Sequence, residues 1–228
     1  MNKFYAVLAL ALVVLVAGCV QNGATGATVV GITDPAAWMG SVTSVNITID
    51  SVSAHNDSGW QTISSTQKTY DLLQLSSSGS TMVLADYQLP EGDYQQLRLQ
   101  ISKVEVTDAN GTHEAKLPSG ELKINGDLTV KPNTTAVVVF DFAANESLHM
   151  TGNGEYIMMP VVSMNTYENA SVDRSNGKLN IKSGRIKASV KVGMDINGTV
   201  GTDRILPQQA NLSIENGRIK AAARSGRP

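Results

Sequence analysis

The chain has 228 residues, 42% of them hydrophobic and 17% charged, with one cysteine and a formal net charge of −2. These values exclude wholesale disorder, an intramolecular disulfide framework and every cysteine-rich metal cluster, and they argue against a nucleic-acid partner. The surplus is small and polar, with 21 Ser, 18 Thr, 16 Asn and 20 Gly against three Phe.

Residues 1–18 read as a removable leader rather than as part of the fold. Lys3 supplies a positive start, and Ala6 to Ala17 is an unbroken apolar run of twelve. That is too short for the ~20 residues of a membrane-spanning helix. The run ends in Val16-Ala17-Gly18-Cys19, which resembles the lipobox of secreted lipoproteins. The resemblance implies cleavage before Cys19, lipidation of its thiol, and a short tether over residues 19–26. Two lipid chains would hold the domain stably on a membrane, facing the extracellular side.

Eight of the 16 asparagines lie in Asn-X-Ser/Thr sequons: Asn46, Asn56, Asn110, Asn133, Asn145, Asn169, Asn197 and Asn211. Chance at this Ser/Thr content gives roughly three. The excess marks candidate glycan acceptors, with β-turn composition as the competing reading. A lipobox together with dense sequons fits an archaeal cell surface.

The expected domain runs over residues 27–165 and reads as strands. Val45, Ile47 and Ile49 alternate with Asn46, Thr48 and Asp50, so one face is buried and the other wet. Leu97, Leu99 and Ile101 alternate likewise, and the pattern slips by one before Val104 and Val106, as a β-bulge would cause. Ala136 to Phe142 is nearly all apolar, the pattern of a central strand covered on both faces. In the run from Tyr156 to Met164, Pro160 predicts a strand end or an edge. Asn-Gly pairs at Asn110, Asn125, Asn176, Asn197 and Asn216 predict hairpin turns. Together these predict an all-β fold, a sandwich or a barrel.

Leu89-Pro90-Glu91-Gly92-Asp93-Tyr94 resembles the strand entry of transthyretin-like sandwiches. It belongs to an ordered series: Thr33-Asp34-Pro35, Val45 to Val52, Trp60, Tyr70-Asp71-Leu72-Leu73, Leu89 to Tyr94, Leu117-Pro118-Ser119-Gly120, Phe140-Asp141-Phe142, and Thr151 to Pro160. This series resembles the domain-of-unknown-function family 4382 over about residues 27–165. Met158-Met159 departs from it where a basic residue is expected before Pro160. The resemblance implies an antiparallel β-sandwich, transthyretin-like or immunoglobulin-like, on a lipid tether, and no established activity.

The net charge hides a division. Residues 20–166 hold 15 acids and six bases, whereas residues 167–228 hold five acids and 11 bases. The segment 166–228 therefore reads as a basic, hairpin-containing extension that docks on or beside the sandwich and extends its β surface. Lys182, Arg185, Lys187 and Lys191 form a candidate basic ribbon for anionic lipid, an acidic glycan or the acidic domain itself; the alternative is a solvated edge kept soluble by its lysines.

No catalytic, metal-ligating or cofactor-binding motif emerges. His55, His113 and His149 are isolated, and no phosphate-binding loop or nucleophile elbow is present. Carboxylates such as Asp50, Asp71, Asp86 and Asp141 show no convergence in sequence. Trp38 and Trp60 read as core or rim packing ahead of sugar platforms, and Met158 and Met159 as core filler. The favoured expectation is a non-enzymatic, lipid-anchored envelope domain that binds or scaffolds a glycan or protein. Two alternatives are a solute- or metal-binding lipoprotein of a transport system, and an envelope hydrolase.

Overall fold

The computed structural model describes residues 23–35, 39–207 and 210–221. The expected leader, Cys19 and Trp38 lie outside the described residues. Among the described residues, sixteen strands and two short α-helices follow in order, with one 3-10 turn at Ser175–Gly177: β1 (Thr25–Thr33), β2 (Ser44–Asn56), β3 (Gly59–Ser64), β4 (Lys68–Asp71), α1 (Leu72–Ser78), β5 (Met82–Pro90), β6 (Gly92–Asp108), β7 (Gly111–Glu114), β8 (Glu121–Val130), β9 (Thr135–Phe142), α2 (Ala144–Ser147), β10 (Leu148–Met150), β11 (Tyr156–Met158), β12 (Val161–Asp173), β13 (Asn180–Met194), β14 (Val200–Gly201), β15 (Leu212–Glu215) and β16 (Arg218–Ala221).

The chain folds into two facing six-stranded sheets. The first has the order β14-β13-β12-β9-β1-β5; in the second, β2 and β6 form the centre, flanked by β3 and β4 on one side and β7 and β8 on the other. Inward residues from both sheets form one core that includes Ile32, Val138 and Phe140 from the first, and Ile47, Leu97 and Val104 from the second. This is the all-β fold that the alternating patterns predict, and of their two options the sandwich that the resemblance implies, with one departure. β1 and β9 pair in parallel, so the first sheet is mixed. The slip before Val104 is the predicted bulge, since Thr48 faces Lys103 while Ile49 faces Ile101. Tyr94 is fully buried, and its hydroxyl donates to the Pro90 carbonyl at 2.9 Å, fastening the entry to β6.

Four of the five Asn-Gly pairs make hairpin turns. Asn176-Gly177 and Asn216-Gly217 both hold two consecutive positive φ values, as tight turns with right-handed strand twist require. Asn125-Gly126 does not turn; it lies inside β8. A Cβ on Gly126 would stand 2.3 Å from Met164 Cε of the opposite sheet, so this glycine admits a core side chain instead. The helices carry no sustained apolar period. α1 is set by its ends: Asp71 accepts from Leu73 N at 3.0 Å, and Gly79 closes it in the left-handed conformation.

Residues beyond 165 are continuous with the sandwich. The expected boundary at 165/166 falls inside β12, which pairs with β9 from Val162 to Tyr167 and with β13 from Val161 to Asp173, interrupted at Asn169 and Ala170. Past Tyr167 the β12–β13 hairpin becomes an arm that folds across the outer face of the first sheet. Its Leu179 packs with outward-facing Val29, Val137 and Val139, and Leu179 N donates to the Thr81 carbonyl at 2.8 Å. Arg174 pairs with Asp86 of β5. This is how the apolar β9 comes to be covered on both faces.

Candidate functional site

Two ends of the sandwich differ. β1 begins beside the β5–β6 and β8–β9 turns, where Glu91 N donates to the Ala24 carbonyl and Asn133 N to the Thr25 carbonyl. At the opposite end, about 30 Å along the strands, lie the β6–β7 turn, α2, β10 and β11. A cleft of 610 Å³ opens there, bordered by Ile101, Lys103, His113, Lys116, Glu155 and Tyr156 among others.

Two of its lining residues, His113 and Tyr156, are held by Asp108, the last residue of β6, which does not itself line the cleft. Tyr156 of β11 donates to Asp108 Oδ2 at 2.8 Å, Asn110 N donates to Oδ1 at 2.7 Å, and His113 Nε2 lies 3.2 Å from Oδ1. The hairpin turn at Asn110-Gly111 places His113 opposite Val106, which brings the imidazole back over Asp108 and within 5.9 Å of the Tyr156 ring. The Tyr156 hydroxyl, with the Asn110 amide and then His113, holds the Asp108 carboxyl below its usual range. Burial, reinforced by Asp108, pushes the Tyr156 phenol up to about 12. Tyr156 therefore stays protonated at neutral pH as a donor, and Asp108 serves as an acceptor already in use rather than a free base. Lys103, Glu114, Lys116 and Glu155 mix signs around the rim, an arrangement that suits a polar ligand of low net charge.

Three further polar residues stand near this end, and the sequence did not single them out as sites. Asp34 follows β1, and Asp141, next to last in the neighbouring parallel β9, pairs with Thr33, so two carboxylates converge where no sequence pattern predicts it. Asp34 is buried and accepts from Ala144 N of α2 at 3.0 Å; burial, opposed by that bond and helped by Asp141, raises its pKa to about 7. Burial also raises Asp141. Neither lines the cleft. His149, in contrast, is buried beside Tyr156 in a second cavity of 380 Å³, where burial lowers its pKa and its Nδ1 has no hydrogen-bond partner.

The other candidates are scattered. Asn110, Asn133, Asn145, Asn169, Asn197 and Asn211 are exposed, and Asn46 and Asn56 are half-buried. Asn145 is distinctive: its sequon hydroxyl, on Ser147, is fully buried and bonded to Ala143 and Val161. The basic ribbon is split. Lys191 sits at the α2 end, 2.7 Å from Glu146, whereas Arg185 pairs with Glu168 and Lys182 lies 4.0 Å from Asp173. Trp60 is half-buried on the outer face of the second sheet, with the Arg98 guanidinium 4.1 Å over its ring and His55 edge-on at 5.0 Å. Met158 enters the main core and Met159 a smaller one beneath β15 and β16. Among the described residues no three His, Cys, Asp or Glu side chains are grouped to hold a metal, and no helix is long and apolar enough to cross a membrane.

No curated protein and no solved structure matches this chain. One family model matches residues 25–160, which run from the start of β1 to the proline before β12. This is more than half of the 228 residues, so the chain belongs to the family described as Domain of unknown function (DUF4382).

Proposed function

We propose that the chain is a lipid-anchored β-sandwich of an archaeal cell envelope, held at Cys19, and that it binds a glycan without transforming it. The observation that carries the reading is the separation of ends. The lipobox-like segment precedes β1 at one end of the sandwich, and the cleft organised by Asp108, His113 and Tyr156 lies at the other. An anchor at Cys19 would point the cleft away from the membrane toward the envelope. The mixed-sign rim and the side-chain hydrogen-bonding groups suit a hydroxyl-rich ligand better than an ion. Exposed sequon asparagines support glycosylation of the domain itself.

The hydrolase alternative rests on the Asp34–Asp141 pair. Asp34 is buried under the start of α2 and already bonded there, so a substrate would have to displace that contact. The transport-linked alternative would use the same cleft for a small solute. Titration of the full chain with soluble oligosaccharides from the envelope tests the reading, with intact-mass analysis of the mature chain alongside. We expect saturable binding that His113→Ala and Tyr156→Phe weaken, with the sugar recovered intact. Cleaved sugar would establish the hydrolase instead, and absence of binding would remove the glycan reading. An unmodified Cys19 would remove the anchor.

A further inference from the structure

The end where β1 begins has a surface that the cleft does not use. Lys131, in the β8–β9 turn, lies 3.4 Å from Glu168 Oε2, and Arg185 of the arm pairs with the same carboxylate. The Glu168 side chain is 3% exposed and that of Arg185 72%, so the guanidinium covers a buried acid while facing water. Beside it on β13 stand Ile186, 60% exposed, and exposed Lys187, which has no ion-pair partner among the described residues. Lys182, with its side chain 65% exposed, extends the group along the arm. The exposed acids of this end, Asp57, Glu91, Asp93 and Asp127, belong to the second sheet and its turns. The end is thus divided: the arm side carries cations and an apolar side chain, with its own acids Glu168 and Asp173 set against those cations, and the other side carries carboxylates without ion-pair partners among the described residues.

We propose that the arm surface of Lys131, Lys182, Arg185, Ile186 and Lys187 contacts an anionic lipid surface and tilts the sandwich onto its first sheet. The inference rests on the anchored reading for what brings the surface to a membrane. The chain from Cys19 to Thr25 spans at most about 20 Å, a reach that keeps this end at the headgroups. Cations near an anionic leaflet are attracted within a Debye length, and a flanked apolar side chain adds burial in the interface. The carboxylates of the second sheet are repelled by the same leaflet, which fixes the direction of tilt.

The test reconstitutes the lipidated full chain in vesicles of phosphatidylglycerol with phosphatidylcholine, or of phosphatidylcholine alone, and follows amide exchange. We expect slower exchange over residues 182–187 only in the anionic vesicles, fading as salt rises, with no slowing around Asp57 and Glu91. Lys182→Ala and Lys187→Ala should each weaken co-sedimentation of unlipidated chain with the anionic vesicles roughly fivefold, and Ile186→Ser should weaken it as well. Arg185 is left in place because it covers Glu168. Equal exchange in the two vesicle types, or slowing on the Asp57 side, would overturn the inference. A bare Cys19 by mass would defeat the anchor instead, and salt-sensitive co-sedimentation would still decide whether the arm binds lipid.

Discussion

The outer faces of the two sheets solve the same problem in opposite ways. The second sheet faces water with polar side chains in cross-strand pairs, such as Thr48 with Thr69 at 2.9 Å and Gln96 with Asn125 at 2.9 Å. The first sheet instead presents Val29, Val137 and Val139 outward, all buried. A sheet that is apolar on both faces needs a third layer, and the β12–β13 arm is that layer. The arm lies wholly beyond residue 160, where the family match ends, yet it covers strands inside the match. The basic segment is therefore part of how the sandwich closes, and its charges ride on a structural element.

The same charge placed on each face has the largest expected difference in effect. Val137→Asp buries a carboxylate between β9 and the arm, with no cation among the packed neighbours Val29, Val139 and Leu179. We expect a loss above about 4 kcal/mol, enough to detach the arm or prevent folding. Thr48→Asp on the open face should stay within about 0.5 kcal/mol. Denaturant melts of the two variants check the pair; equal losses would mean that the arm does not seal the first sheet.

The faces also differ in how their carboxylates titrate. Asp50, on the open side, accepts from Gln67 and Ser102, and these bonds lower its pKa. Its contribution is present above the unfolded value of 3.8 and is lost as pH falls through the lowered folded value. Asp34 and Asp141, at the first sheet, are raised by burial. For Asp34 the folded state binds the proton more tightly than the unfolded chain, so stability falls as pH rises from about 4 to about 7, by at most about 4 kcal/mol. Asp34→Asn keeps an acceptor for Ala144 N and removes the charge. We expect its melting temperature to change less than that of the parent over this window, and the two curves to converge toward pH 4. Parallel curves would show that Asp34 does not carry the effect.

What the sequence disclosed follows from the range of each interaction. Strict alternation in β2 and β6 specifies a two-sided environment residue by residue, so their faces and the bulge before Val104 were legible. The nearly continuous apolar run in β9 announced cover on both faces, but nothing local says that the second cover is a hairpin 30 residues further on. The Asp34–Asp141 meeting depends on the parallel β1–β9 pairing, which joins residues more than 100 apart. The cleft was hidden similarly: Asp108 and Tyr156 look like a turn acid and a strand aromatic until β11 brings them within 2.8 Å. Asn125-Gly126 misled because the dipeptide also serves where a strand must admit a side chain from the other sheet.

The seat of the arm itself gives the finest test. Leu179 is 4% exposed, and a Cβ built on Gly31 of β1 would stand 2.7 Å from its Cδ2 and 2.7 Å from Thr81 Cγ2. The missing side chain at Gly31 is what lets the arm lie flat on the sheet. Leu179→Ala should cost about 2–3 kcal/mol, at the lower part of the range for buried leucine because the arm can settle toward β1. Gly31→Ala alone should destabilise by crowding two methyl groups, although its backbone accepts alanine. In the double variant the clash with Leu179 is gone and the new methyl fills part of the cavity, so the two losses should fall short of adding by about 1 kcal/mol. Additive losses would mean that Leu179 does not rest on Gly31, and the arm would then cover the first sheet by a different seat.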